Sequence, residues 1–190
     1  MDKRGWILVF VFILGLLSFT VDKFVVDNVS FVRSVYLNNF FLGIALISSE
    51  IIIFSALTLL FFYHQKTRKQ IIPLWLCFLS SVIVGFLLKI GFHRPRPFQA
   101  GILSLTEVLI ENFQLVWNFA FPSFQAMFCF CALPIIAKEF PKLKYPWFVF
   151  AILICASRIY FGLHYLSDVV FGGLVGYVIG LLVIKGLKTH

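Results

Sequence analysis

Three short stretches of this chain carry side chains suited to handling phosphate. Lys89 and Arg96 fall in "KIGFHRPRPF", Ser123 stands in "FPSFQA", and Arg158, His164 and Asp168 lie within "SRIYFGLHYLSD". Lys89, Arg96 and Arg158 offer three cations, enough to bind a phosphate and to stabilise the charge of its transition state. His164 can attack phosphorus once one ring nitrogen is free. Asp168, four residues on, is one helical turn away and placed to hold the other nitrogen as a hydrogen-bond donor. Unpaired backbone N–H groups at Ser123 and its neighbours, where a helix starts, would add an anion cradle. Together these residue types point to phosphoryl transfer. No carboxylate cluster suggests a metal, and the cations can neutralise charge instead, so no cofactor is expected.

The elements that must position these residues are membrane helices. The chain has 190 residues, 61% hydrophobic and only 13% charged, more apolar surface than the core of a soluble domain this size can hide. Several runs approach or exceed the ~20 apolar residues that cross a bilayer. Six spans are expected, over Gly5–Thr20, Phe40–Tyr63, Ile71–Phe92, Trp117–Ala137, Pro146–Leu166 and Ser167–Leu187. Lys3 and Arg4 precede the first run as in a secretory signal, but "SFTVDKF" offers no small-residue cleavage site, and the run is kept as a helix. The fold class is therefore all-α, a six-helix transmembrane bundle forming one integral membrane domain over residues 1–190. A bilayer and a membrane lipid are its expected partners. The net charge of +8 does not imply nucleic acid here, because its distribution follows the membrane.

Six spans put the termini and the second and fourth loops on one face, with ten of the sixteen basic residues, from Lys3 and Arg4 to Lys185 and Lys188. Lys23, Arg33, Lys89, Arg94, Arg96 and Arg158 fall on the other face. The positive-inside rule makes the first face cytoplasmic. Trp6, Trp75 and Trp147 begin spans on that face and Trp117 begins one on the opposite face, as interfacial anchors should. The end of span three, the start of span four and the junction of five and six all meet on the opposite face. The phosphate-handling residues thus converge toward the periplasm or exterior of an inner-membrane protein.

Four further features bear on the bundle. Apolar residues recur at helical spacing in Gly101–Val116, which fits a helix lying in the headgroup layer on the active-site face. Gly172, Gly176 and Gly180 form a small-residue stripe for close helix packing within the bundle. Cys77, Cys129, Cys131 and Cys155 all fall inside spans and are read as small buried hydrophobes. Glu50 lies mid-span, where an ionisable residue is either functional or protonated and bonded to a serine such as Ser80 or Ser81. Its depth leaves it out of the expected catalytic set.

With these residues in order, the sequence resembles the type 2 phosphatidic acid phosphatase superfamily. Lys89-x6-Arg96-Pro97, Pro122-Ser123-Phe124-Gln125 and Ser157-Arg158-x5-His164-x3-Asp168 look like its three signatures. The resemblance implies metal-independent hydrolysis of a membrane lipid phosphate through a phosphohistidine on His164. Lys89, Arg96, Ser123, Phe124 and Arg158 would line the phosphate site, and Asp168 would orient the nucleophile. The second signature departs from the pattern. The family usually has glycine then histidine where this chain has Phe124 and Gln125, and that histidine is the general acid that protonates the leaving oxygen.

Glutamine donates a hydrogen bond but cannot deliver a proton, and losing general acid catalysis typically costs ~10²–10⁴ in rate. The loss matters for an alkoxide, whose conjugate acid has a pKa of roughly 16 like water. It matters little for a leaving phosphate, with a pKa of roughly 6. Gln125 therefore favours undecaprenyl or other isoprenyl diphosphates and the anomeric 1-phosphate of lipid A over phosphatidic acid. Two rivals stay open: His93, beside the first signature, as a substitute acid, or Gln125 as an engineered replacement that traps an inactive state. At the level of function, the alternatives are a lipid phosphotransferase using the same phosphohistidine and a catalytically impaired lipid-binding relative.

Overall fold

Long apolar runs have only one cheap way to satisfy their backbone groups in lipid, the α-helix, and the described residues contain no strand. The computed structural model describes residues 3–101 and 119–187. Its helices are α1 (Lys3–Val29), α2 (Val35–Ile47), α3 (Glu50–Tyr63), α4 (Ile71–Phe92), α5 (Phe124–Glu139), α6 (Lys144–Tyr160) and α7 (Leu166–Gly186), with 3₁₀ turns at Ser30–Val32 and Gln65–Gln70. The expected interfacial helix over Gly101–Val116 and the Trp117 anchor fall, apart from Gly101, outside the described residues.

Among the described residues, three helical segments are long and apolar enough to cross a bilayer: Leu8–Val29, Gln65–Phe92 and Leu166–Gly186. The pair α2 and α3, bent by 60° at its break, would make a fourth as a single bent span. Helices α5 and α6, of 16 and 17 residues, fall short of that length. Large apolar side chains nevertheless cover the outside of the bundle, as at Phe10, Leu59, Leu79 and Leu182, the surface that lipid rather than water would meet.

The elements differ from the sequence reading in instructive places. Helix α1 runs past Thr20 to Val29, because Asp22, in its polar last third, is bonded inside the bundle instead of seeking headgroup water. The second expected span is two helices. Ser49 turns out of the helical path and caps α3 by accepting from the Ile52 N–H at 3.3 Å. The fourth span starts seven residues late, at Phe124, since 119–123 run as an irregular segment with a cis Phe121–Pro122 peptide. The fifth ends at Tyr160, and Phe161–Tyr165 leave the helix through Gly162, whose φ of 67° is left-handed.

Helix α5 is the axis of the bundle. Ten of its residues, from Phe124 to Ile136, are buried, and it packs against α3, α4, α6 and α7. Its closest partner is α7, through the glycine stripe. A Cβ on Gly172 would stand 2.7 Å from the Ser123 carbonyl oxygen, on Gly176 2.2 Å from that of Met127, and on Gly180 2.3 Å from that of Cys131. Backbone thus meets backbone along three turns. The four cysteines are buried with free thiols, as expected of small core residues. Gly176→Val should lower the thermal midpoint in detergent by an amount worth ~1–3 kcal/mol or more of overpacking. Gly43→Ala, where no atom lies within 4 Å of the added carbon, should leave it unchanged or raise it slightly.

Candidate active site

The site is built where four chain segments that leave helices come together: the end of α4 with 93–101, residues 119–123, the α6–α7 junction, and the break between α2 and α3. Helix α4 stops at His93, whose φ of 47° is left-handed, and its N–H closes the helix on the Lys89 carbonyl. Pro95 and Pro97 keep the following loop extended. That loop is tied to 119–123 by the Ala120 N–H donating to the Arg94 carbonyl at 2.8 Å.

All three expected cations are brought inward, each less than a tenth exposed. Lys89 Nζ donates to the Phe119 carbonyl at 2.6 Å and stands 5.0 Å from the centre of the Phe124 ring. Arg96 donates through a terminal nitrogen to the Leu163 carbonyl at 3.1 Å. Arg158 donates to Ser48 Oγ at 2.9 Å, so the helix break is itself part of the site. Ser123 is fully buried at the N-terminus of α5, and its hydroxyl has no hydrogen-bond partner among the described residues. The Ser123 N–H is not part of an anion cradle, however. It donates to the Asp168 carbonyl at 3.1 Å, so the first N–H groups of the helix after it are those of Phe124, Gln125 and Ala126.

His164 sits in the α6–α7 loop, 3% exposed. Its Nδ1 lies 2.7 Å from the Ala120 carbonyl oxygen, an acceptor that fixes Nδ1 as the N–H and leaves the Nε2 lone pair available. Asp168 Oδ2 is 3.7 Å from the same Nδ1, beyond a direct hydrogen bond. Burial holds the imidazole well below its usual pKa, and the Arg96, Lys89 and Arg158 charges push the same way, against the Ala120 bond. Arg96 is lowered to about 10, chiefly by burial, with Asp168 and Glu50 acting to raise it.

Asp168 is held elsewhere. Its Oδ2 accepts from the Tyr165 N–H at 2.7 Å, capping α7, and its Oδ1 accepts from Arg94 at 2.7 Å. Arg94 also pairs with Asp22 of α1 at 2.7 Å, and the Ser167 N–H donates to Asp22 at 2.9 Å. This Asp22–Arg94–Asp168 chain escaped the sequence reading, which counted Arg94 only as surface charge. An acid in an otherwise membrane-bound helix, Asp22, was the available signal.

Gln125 opens α5 one residue after Phe124, and its Nε2 donates to Glu50 Oε1 at 2.5 Å. Here the structure gives Glu50 a partner that the sequence reading did not expect. The break at Ser48–Ser49 makes Glu50 the first residue of α3, and its partner is Gln125, not Ser80 or Ser81. His93 is exposed, and its ring stacks edge-on against Phe119 with centroids 4.7 Å apart.

Known proteins are similar to this chain in sequence and fold. The chain is 33% identical over 143 residues to the lipid A 4'-phosphatase of Rhizobium leguminosarum, covering 68% of this chain and 60% of that one. It is 28% identical over 124 residues to the undecaprenyl-diphosphatase BcrC of Bacillus subtilis, covering 64% and 60%. The chain therefore spans about 60% of the length of each of these relatives. Its fold matches the crystal structure of a transmembrane PAP2-type phosphatidylglycerolphosphate phosphatase from Bacillus subtilis, with a TM-score of 0.72 over 96% of both chains at 22% identity. The PAP2 superfamily itself matches residues 70–190, which take in all three phosphate-handling stretches, and the chain belongs to that superfamily.

Proposed function

We propose that this protein is a membrane lipid phosphatase that works through a phosphohistidine on His164. The observation that carries the reading is the Ala120 carbonyl on Nδ1 of a buried imidazole held below its usual pKa, which leaves the Nε2 lone pair available to attack phosphorus. Lys89, Arg96 and Arg158 would take the phosphate oxygens, with the free Ser123 hydroxyl and the N–H groups at the start of α5 as further donors. The ring of Phe124, beneath Lys89 Nζ, closes that pocket on its apolar side. Asp168 positions the histidine through the loop: it caps α7 at Tyr165, adjacent to His164, and anchors Ser123 through its carbonyl. Water then cleaves the P–N bond, and no step calls for a metal.

The six-span bundle, one domain over 1–190 with cytoplasmic termini and a site toward the periplasm or exterior, belongs to this proposal and rests on the distribution of basic residues. The substrate is a lipid phosphate or diphosphate of the inner membrane. Gln125, taken by itself, favours isoprenyl diphosphates and the lipid A 1-phosphate, whose leaving groups need the least protonation.

His164→Ala should reduce phosphate release from a lipid phosphate in detergent by on the order of 10³-fold or more. It should also abolish acid-labile phosphate labelling of the protein. A labelled, active alanine variant would refute the phosphohistidine. The low pKa of His164 fixes the pH dependence as well. In the free protein the ring stays neutral above its usual value of 6.5 and for some distance below it. After correction for the substrate's own ionisation, kcat/KM should therefore show no loss from His164 protonation between pH 8 and roughly 6, because kcat/KM reports the free enzyme. An acid limb centred at the ordinary histidine value would contradict the geometry.

A further inference from the structure

A leaving alkoxide oxygen has to be protonated by something, and the position expected to do it holds an amide. His93, beside the first phosphate-handling stretch, is exposed and stacked on Phe119. Glu50 is different. It opens α3 immediately after the break whose Ser48 holds Arg158, and its carboxyl meets the Gln125 amide at 2.5 Å. Gln125 in turn is two residues from Ser123, the buried hydroxyl at the head of α5. Both members of the pair are half-buried, so they stand at the edge of the site instead of being sealed in the core. The Gln125 amide donates to Oε1.

We propose that Glu50 is the proton carrier of this site, held in place by Gln125, and that the protein therefore dephosphorylates lipid monoesters with alkoxide leaving groups as well as diphosphates. The inference rests on the phosphohistidine reading. In the first half-reaction His164 Nε2 forms the P–N bond as the P–O bond to the lipid breaks, and the proton on Glu50 Oε2 passes to the departing oxygen. The lipid leaves as an alcohol and Glu50 is left as a carboxylate. In the second half, that carboxylate takes a proton from water as the water oxygen attacks phosphorus and the P–N bond breaks. Inorganic phosphate leaves, and the histidine and the protonated Glu50 are restored. Gln125 supplies an N–H that keeps Oε1 as the carbonyl oxygen and turns Oε2 toward the leaving group.

The test compares kcat/KM for phosphatidic acid and for a long-chain isoprenyl diphosphate, in detergent, across the wild type, Glu50→Gln and the double variant Glu50→Gln/Gln125→His. Glu50→Gln should lose ~10²–10⁴ on phosphatidic acid, the range of general acid catalysis. Its loss on the diphosphate should be at least about tenfold smaller, because a leaving phosphate needs little protonation. The double variant, with an imidazole in place of the amide, should regain about tenfold or more on phosphatidic acid relative to Glu50→Gln. Phosphohistidine formation from the diphosphate reports whether each variant retains a working site. Equal losses on both lipids, no loss on either, or no recovery in a double variant that still forms the phosphohistidine would each overturn the role of Glu50. A wild type inert on both lipids would instead overturn the phosphatase reading, and the role of Glu50 with it.

Discussion

The structure depends on keeping three cations out of water. A buried ammonium or guanidinium is costly unless its hydrogens are taken up, and here the acceptors come from segments far away in sequence. Lys89 uses the carbonyl of Phe119, Arg96 that of Leu163, and Arg158 the hydroxyl of Ser48. Each bond fixes an irregular stretch of chain: 119–123, the α6–α7 loop and the α2–α3 break. The cations thus organise the loops that surround them. The same loops then carry Ser123 and His164, so the residues that would bind phosphate also assemble the place where it binds.

A second layer uses carboxylates. Asp22 and Asp168 share Arg94, which joins the polar third of α1 to the first turn of α7. Asp168 does three jobs from that position: it caps α7, accepts from Arg94, and offers its carbonyl to Ser123. The histidine takes its hydrogen bond from a backbone carbonyl instead, at 2.7 Å against 3.7 Å to the carboxylate. A neutral acceptor suits a ring in this field. It fixes the tautomer, and its pull toward the charged form is outweighed by burial and the three cations.

Much of this was legible from residue types and spacing, and the omissions have a common cause. Ile71–Phe92 has the same bounds in sequence and structure, because an uninterrupted apolar run followed by His93, Arg94 and Pro95 leaves little choice. The convergence of Lys89, Arg96, Ser123, Arg158 and His164 also followed from placing helix ends on one side. What stayed hidden was partnership. Asp22 with Ser167, Arg158 with Ser48 and Glu50 with Gln125 are separated by 145, 110 and 75 residues. No periodicity links such pairs. The break at Ser48–Ser49 was equally silent, since serines within an apolar run do not disturb its hydropathy. It was the fact that changed the meaning of Glu50.

The glycine stripe has a mechanical consequence. Side chains can exchange rotamers and let two helices slide, but Gly172, Gly176 and Gly180 put the α7 backbone directly on the carbonyls of α5. No compliant layer lies between them. Ser123 at the head of α5 and Asp168 in the first turn of α7 are joined by their own hydrogen bond across the top of the same seam. The two helices therefore behave as a single beam carrying one wall of the site. Any give that admits a bulky lipid headgroup falls to the opposite wall, where α2 and α3 are already jointed.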